Sequence, residues 1–326
     1  MTAAAAAAEN RPMPADPSIL PAAARAAPRA DPLAFFSVAE WAGLTRRSPW
    51  RGPWLVLHCW AVIALAMAMG VMWPLTIPLA VLLIGSRQLG LFILMHDAAH
   101  GLLHPNRRLN DWIGAWLCSY TLHAYRPYHL QHHRHVQQAQ DPDLVLSAPF
   151  PIRRASLRRK ALRDLSGQTF YRQRLRPLLR PAPASSTGQE LAKGARFLLG
   201  NGIGLLLFAA AGLWWAWLAM WLLPMMTWLP WISRVRNIAE HALLARDESD
   251  PLRQARTTRA GWLERVLLAP YWVNYHAEHH LFTQVPCWNL PKAHALLRRR
   301  GVTPRMEVRG GYGEVLRRAT ATAAVE

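Results

Sequence analysis

Three long apolar runs restrict what this chain can fold into. The first covers residues 54–73 and the second covers residues 75–95, with Pro74 between them. Twenty helical residues extend over ~30 Å, which matches the hydrocarbon core of a bilayer, so each run predicts a membrane-spanning helix. The third run, residues 197–232, is too long for one untilted span and predicts two more, near residues 197–214 and 217–233.

We therefore expect an all-α integral membrane protein in which four transmembrane helices form two hairpins. The connections around the hairpins are rich in arginine, whereas the two hairpin tips contain neither Lys nor Arg. The positive-inside rule then predicts that both termini and the connection between the hairpins lie in the cytoplasm. The Ala- and Arg-rich composition indicates a bacterial inner membrane.

The remaining segments divide around these spans. We expect a disordered tail at residues 1–33, a membrane domain at 34–300 and a C-terminal tail at 301–326. Amphipathic patches at 33–44 and 112–125 predict interfacial helices beside a cytoplasmic helical cap. Prolines and serines around residues 177–186 predict a loop. Arg87 interrupts the second apolar run, and it either makes a functional contact, packs between helices or snorkels to the interface.

The charge of the chain is unusually positive. Its formal net charge is +19 over 326 residues, which is compatible with nucleic acid, a membrane surface or acidic partners. Because the arginines flank the apolar runs, we expect membrane rather than nucleic acid. The basic run at Arg153, Arg154, Arg158 and Arg159 then faces lipid headgroups or solvent. Only three cysteines occur, widely spaced, so a metal centre would have to use histidine.

Histidines recur at spacings that suit a metal. Two H-x-x-H-H motifs and two pairs separated by four residues place their side chains on single helix faces, where imidazoles can converge on Fe, Zn or Cu. The candidate ligands in these motifs are His96, His100, His129, His132, His133, Asn237, His241, His276, His279 and His280.

Other residues near the motifs have supporting or structural interpretations. Metal-binding histidines usually donate their second N–H to a carboxylate or a carbonyl, and Asp97, Glu240 and Glu278 are adjacent to the candidate ligands in sequence. Ordinary exposed acids are the alternative for each of them. Four of the five histidines outside the motifs are interpreted as structural or supporting residues: His58, His104, His123 and His135.

With these motifs the chain resembles the membrane fatty acid desaturase family, an integral-membrane di-iron group with three histidine boxes. The boxes correspond to His96-Asp-Ala-Ala-His100, His129-Leu-Gln-His-His133 and His276-Ala-Glu-His-His280, and Asn237-Ile-Ala-Glu-His241 matches the family's N-x-x-x-H element. The resemblance covers about residues 35–300. It implies that the ten candidate ligands hold two irons, with Asn237 acting through a water molecule.

The resemblance also implies a reaction. Members use O2 at the two irons to remove two hydrogens from adjacent methylenes of an acyl chain on a lipid or a carrier. An unactivated methylene resists acid–base chemistry, so the metals supply the oxidant and the protein supplies placement. We therefore expect no catalytic acid–base pair from the polypeptide.

Alternatives to desaturation remain open from the sequence. A hydroxylase or ketolase of the same superfamily, acting on a lipid, an alkane or a carotenoid, would carry similar boxes. A membrane metal transporter would place its ligands near the bilayer midplane, and a zinc protease would need H-E-x-x-H, which the sequence lacks.

The electrons for this chemistry must come from another protein. The sequence contains neither the haem-binding H-P-G-G pattern nor a glycine-rich dinucleotide motif. We expect an external donor of the ferredoxin or cytochrome b5 type, attracted by the basic cytoplasmic surface.

Overall fold

Helices dominate the protein, as the sequence predicts. The structure, a computed structural model, describes residues 26–119, 121–147, 149–176 and 187–321. Residues 1–25 of the predicted tail at 1–33 and the predicted loop at 177–186 lie outside the described residues. The helices and strands are α1 (Val38–Thr45), α2 (Arg51–Met72), α3 (Ile77–Ala99), α4 (Arg107–Trp112), α5 (Leu122–Arg134), α6 (Leu144–Ser147), α7 (Arg154–Leu165), α8 (Gln168–Phe170), α9 (Thr187–Ala210), α10 (Trp214–Trp217), α11 (Leu223–Met226), α12 (Trp228–His241), β1 (Arg256–Thr258), α13 (Trp262–Leu267), α14 (His276–Leu281), α15 (Leu290–Arg299), β2 (Glu307–Arg309) and α16 (Tyr312–Ala319).

The first two apolar runs form the predicted hairpin of α2 and α3. A short 3-10 turn, Pro74–Thr76, joins them, and the Thr76 hydroxyl donates to the Trp73 carbonyl at 2.7 Å. Among the described residues, Arg51–Met72 and Pro74–Ala99 are the two helices long and apolar enough to cross a membrane. The second of these continues past the predicted end at residue 95 and carries the first histidine box on its last turn.

The third apolar run is divided into several helices. The apolar part of α9, Ala195–Ala210, is shorter than the two spans of the first hairpin, and Gly212 turns the chain at φ 73°. Pro224 lies in the first turn of α11, and Thr227 leaves helical geometry at φ −121°, ψ −70°, before α12 begins. A second membrane hairpin in this region, and thus the four-span arrangement, stays a prediction.

Arg87 lies inside the helical bundle and does not reach the surface. It is 8% exposed, and its Nη2 donates to the Val266 carbonyl at 2.7 Å. Its guanidinium carbon lies 5.7 Å from the centre of the Tyr271 ring. Of the three expectations for this residue, the snorkelling one is therefore wrong, because the side chain packs between α3 and the segment before the third histidine box.

The N-terminal helix α1 packs against the segment that follows the third box. Ser37 and Glu40 form a reciprocal capping box at its start. The Asn289 side-chain amide donates to the Leu44 carbonyl at 2.7 Å, and the rings of Phe36 and Phe282 lie 5.0 Å apart. The predicted helix at 33–44 is thus present, shifted by a few residues, with one face buried on the protein.

The segment after residue 300, which the sequence assigns to a tail, contributes a strand and a helix to the fold. β2 pairs in parallel with β1, so that Thr257 lies opposite Val308. α16 buries Tyr312, Val315 and Ala319. These two short strands are the β structure of the described residues, and the chain is otherwise helical.

Close helix packing leads to a prediction for Gly52 on α2. A Cβ at this position would lie 2.0 Å from the Leu103 backbone carbonyl oxygen, so one element would have to move. We expect Gly52→Ala to lower the free energy of unfolding by ~1–3 kcal/mol, as overpacking does. Thermal unfolding in detergent measures this. Gly202→Ala on α9, where the added methyl meets no atom within 4 Å, is the control and should keep or raise the melting temperature. Equal melting temperatures for the two variants would contradict the prediction.

Candidate metal centre

Helix ends and short helices deliver the histidine motifs to one region. α3 ends at Ala99, so His96 and His100 lie on and just beyond its last turn. α5 carries the second box, α12 ends at His241, and α14 begins at His276. Helix ends leave backbone groups without partners inside the helix, so a site built from helix ends also needs hydrogen-bond partners from other segments.

A strained turn positions the third box. Tyr271 and Trp272 have positive φ angles of 52° and 58°, which non-glycine residues rarely adopt. The Tyr271 hydroxyl and His58 Nδ1 lie 3.1 Å apart. The Tyr271 ring occupies the space beside Gly90, where a Cβ would approach Cε2 to 2.7 Å. The aromatic ring therefore anchors the chain just before α14 between α2 and α3.

The structure brings all nine predicted histidines together in two clusters. In each cluster the ligand nitrogens lie within 4.8 Å of one another. The first cluster consists of His96, His100, His129, His133 and His279, and the second consists of His132, His241, His276 and His280.

The second and third boxes each contribute to both clusters in a mirrored way. His129 and His133 face the first cluster, whereas His132 faces the second. His276 and His280 face the second cluster, whereas His279 faces the first. Residues four apart on a helix share a face, while the residue beside the pair is rotated by about 100°. A single H-x-x-H-H motif can therefore serve two adjacent metals.

The spacing within the first cluster fits a metal. The Nε2 atoms of His129 and His100 lie 3.0 Å apart, those of His133 and His129 lie 2.9 Å apart, and those of His279 and His133 lie 3.0 Å apart. Metal–imidazole bonds of ~2.1 Å at right angles place neighbouring nitrogens ~3.0 Å apart. His96 Nε2 is buried and has no hydrogen-bond partner. Coordination to a metal would satisfy this nitrogen.

The second cluster has similar dimensions. The Nε2 atoms of His241 and His276 lie 2.9 Å apart, and those of His280 and His276 lie 3.1 Å apart. His132 Nε2 lies 3.3 Å from His280 Nε2. Four imidazoles in this arrangement form a donor set for a second metal.

Burial favours the neutral form of His133, His276 and His280, which is the form that binds metal. Desolvation by burial, followed by repulsion from neighbouring histidines, lowers the pKa of His133, His276 and His280 well below the usual value. Positive charge on several of them at once would be strongly unfavourable at these distances. The clusters are therefore stable as neutral ligands around a cation.

Asp141 supports the second cluster, and sequence reasoning missed it. Its Oδ1 lies 2.8 Å from His132 Nδ1, so it accepts the N–H that leaves Nε2 free for a metal. The other carboxylate oxygen accepts the Gln137 backbone N–H at 2.9 Å, and the side chain is 2% exposed. The acidic pair Asp141-Pro-Asp143, eight residues after the second box, was the available signal.

The three predicted supporting acids have different contacts. Asp97 Oδ1 lies 3.6 Å from His96 Nδ1, and its Oδ2 accepts the Cys287 backbone N–H at 2.9 Å. Glu240 Oε2 lies 3.7 Å from His276 Nε2, and burial raises the pKa of Glu240 to about 7.

Glu278 faces away from both clusters. Its carboxylate is fully buried and accepts hydrogen bonds from Thr257 and from His294, the latter at 2.6 Å. These contacts differ from the expectation that Glu278 accepts an N–H from a histidine of the motifs. The sequence provided no signal that His294 would be its partner.

A small cavity lies against both clusters. His96 and His129 of the first cluster and His132, His241 and His276 of the second line it.

Asn237, the tenth predicted ligand, also lies on the wall of this cavity. Its side-chain oxygen accepts a hydrogen bond from Arg236 at 3.3 Å. The rest of the wall consists of Tyr125, Asp143, Leu146, Ser147, Arg236, Glu240 and Val273. A metal-bound water between Asn237 and the second cluster stays a prediction.

The single histidines lie outside both clusters, in line with their structural interpretation. His104 Nδ1 accepts the Asn106 backbone N–H at 2.9 Å, and His135 Nδ1 lies 3.2 Å from the Gln138 side chain. His58 contacts Tyr271, and His123 is exposed.

Comparison with known proteins identifies the family. The family model for fatty acid desaturases matches residues 72–308, which include both clusters. The chain belongs to the fatty acid desaturase family. It is therefore an oxidoreductase.

Relatives in this family act in different ways. The chain is 32% identical over 235 residues to a dihydrorhizobitoxine desaturase from Bradyrhizobium elkanii, an alignment that covers 66% of each chain. It is 27% identical to a probable fatty acid desaturase from Sorghum bicolor, over 76% of this chain and 70% of the relative. It is also 28% identical to a β-carotene ketolase from a Paracoccus species, over 73% of this chain and 86% of the relative.

The contact of Asp141 with His132 leads to a prediction. We expect Asp141→Ala to weaken metal retention by ~10–100-fold, because the His132 ring loses the acceptor that fixes its orientation. Metal content after dialysis against a chelator measures this. Asp143→Ala is the control, since its carboxylate lies 3.8 Å from the same nitrogen and is 28% exposed. A loss of metal in the Asp143 variant equal to that in the Asp141 variant would contradict the assigned role.

Proposed function

We propose that this protein is an O2-dependent di-iron desaturase that introduces a C=C bond into a fatty acyl chain carried by a lipid or an acyl carrier. The observation that carries the proposal is the pair of adjacent clusters, with five and four histidines that are buried or half-buried. Membership in the fatty acid desaturase family supports the same chemistry.

Iron fits the donor set better than zinc. Structural and catalytic zinc sites are usually tetrahedral with at most four protein ligands, whereas the first cluster offers five imidazoles within 4.8 Å of one another. Imidazole suits Fe. A six-coordinate iron with four or five imidazole ligands would keep at least one position for O2 or a water. The histidines of both clusters and Asn237 are the ligands we propose for the two irons.

The protein's own residues place the substrate and exclude water. With iron bound, the centre uses O2, two electrons and two protons to take two hydrogens from adjacent methylenes, releasing two waters and an alkene. Leu146 and Val273 provide apolar wall where methylenes can approach both clusters. Buried neutral imidazoles around the cavity keep bulk water from the oxidant.

Ketolation or hydroxylation is the second candidate function. The similarity to a β-carotene ketolase over 86% of that relative supports it. The same metals can return oxygen to a carbon from which one hydrogen has been removed, so the substrate's position over the clusters decides the product.

We further propose that the chain is a multi-pass inner-membrane protein with its histidine motifs and both termini in the cytoplasm. The hairpin of α2 and α3 supports this, since its helices are long and apolar enough to span a bilayer. α2 exposes Trp54, Leu57 and Leu65, and α9 exposes Leu199 and Leu206, which suits contact with lipid.

An external one-electron donor of the ferredoxin or cytochrome b5 type completes the proposed reaction. Arg153, Arg154, Arg158 and Arg159 are all exposed along α7 and its N-terminal flank. An acidic donor would be attracted to this row of cations and oriented by it.

Product analysis tests the proposed function. We expect a desaturase-deficient host that expresses this chain to accumulate acyl chains that have lost two hydrogens, measured by mass spectrometry of its lipids. His280→Ala, which removes one ligand of the second cluster, should abolish the product. Hydroxylated or keto products would select the second candidate, and an iron-loaded protein that yields neither would overturn the proposal.

Charge reversal tests the donor surface. We expect Arg154→Glu with Arg158→Glu to reduce donor-dependent turnover by roughly tenfold at low salt and less at high salt, because screening weakens steering. Arg298→Glu with Arg299→Glu on α15 is the control with the same change in charge, and it should retain turnover. Identical rates for the two double variants would refute docking on α7.

A further inference from the structure

We propose that two arginines outside the histidine motifs, Arg126 and Arg256, position the ligands by capping the two helix ends that carry them. Each arginine serves one cluster: Arg126 the first and Arg256 the second. The inference rests on the proposed function only in requiring that the clusters hold metal.

The end of α3 requires donors because it is buried. The last carbonyls of a helix have no partner within it, and a buried carbonyl without a donor is unfavourable. Arg126 Nη2 donates to the Ala98 carbonyl and its Nε donates to the Ala99 carbonyl, both at 3.0 Å. The side-chain amide of Asn110, itself fully buried, donates to the same Ala98 oxygen at 2.9 Å.

Arg126 also connects the first box to the second. It belongs to α5, three residues before His129, and caps the turn of α3 between His96 and His100. Asp111 holds the guanidinium from the other side, with Oδ2 accepting from Nη1 at 3.2 Å. The guanidinium therefore sets the register of α5 on α3, and with it the distances within the first cluster.

Arg256 caps the end of α12 in the same manner. Its Nη1 donates to the Ala239 carbonyl at 3.2 Å and its Nη2 donates to the Ala242 carbonyl at 2.7 Å. The side chain is buried, with the residue 3% exposed. These carbonyls lie on either side of His241, whose own carbonyl accepts from the Gln137 side chain at 3.0 Å.

The strand that carries Arg256 connects α12 to the third box. Thr257, the next residue of β1, forms a bridge with Tyr275 and donates through its hydroxyl to Glu278. The same hydroxyl accepts the Ala277 backbone N–H at 3.3 Å. β1 thus holds the end of α12 with one residue and the start of α14 with the next, which sets His241 against His276.

Arginine is required at both positions for a geometric reason. A guanidinium presents its donors in a planar fork and can bind two carbonyls and a carboxylate at once, whereas an ammonium is a point donor on a flexible stem. A cation also interacts favourably with the negative end of a helix dipole. Lysine would keep the second effect and lose the first.

Metal retention tests the assignment. The full chain and the variants Arg126→Met, Arg126→Lys, Arg256→Met and Arg256→Lys are purified from iron-replete cells in detergent, and bound metal is measured by mass spectrometry during a chelator titration. We expect each Met variant to release one metal at a chelator concentration at least ~10-fold lower than the wild type requires, while it retains the other metal. The Lys variants should lie closer to the Met variants than to the wild type.

Arg234→Met is the matched control. Arg234 is also on α12 and donates to the fully buried Asp164, with Nη2 to Oδ1 at 2.9 Å, but it caps no ligand-bearing helix end. We expect a lower melting temperature with wild-type metal retention. If a Met variant does not accumulate as monodisperse protein, the Lys variant at that position decides the outcome.

Three results would overturn the inference: wild-type retention in either Met variant, wild-type retention in the Lys variants, or equal metal loss in Arg234→Met. Failure of the proposed function has a different signature. In that case the wild-type protein holds two metals and yields no oxidised lipid, while the retention of metal by the variants still differs.

Discussion

The packing of nine imidazoles in one region of the protein is the constraint on which the rest of the structure depends. Their Nε2 atoms approach to 2.9–3.3 Å, distances at which protonated rings would repel one another strongly and neutral rings lack enough N–H donors to satisfy all contacts. A cation at the centre of each cluster would resolve both problems. The surrounding fold therefore has to hold nine rings at these distances.

The chain meets this requirement at helix ends. α3 and α12 carry their histidines at or beside their last turns, where several carbonyls lack partners within the helix and accept from donors in other segments. Arg126, Arg256 and Gln137 supply those donors, and each comes from a segment next to another histidine motif or from the motif's own helix. The same contacts thus provide donors to the helix-end carbonyls and hold the histidine-bearing segments together.

The similarity to both desaturases and a ketolase is consistent with this arrangement. The clusters and their supporting hydrogen bonds are built from segments within residues 72–308, the range that the family model matches. The cavity wall also contains residues that belong to neither cluster: Tyr125, Asp143, Leu146, Ser147, Arg236, Asn237, Glu240 and Val273. This wall can therefore vary without any change to the histidines.

The sequence by itself determined the helical class, the first apolar hairpin and the identity of the clustered histidines, because these depend on local periodicity and on i, i+3 and i+4 spacing. Only the tertiary structure decided how the histidines divide between the clusters, with His132 separated from His129 and His133. It also decided the contacts of Asp141, Arg256 and His294. It placed β2 and α16 in the segment after residue 300, which the sequence predicts to be a tail. Those contacts join residues far apart in the chain, and local spacing contains no information about which distant segments will meet.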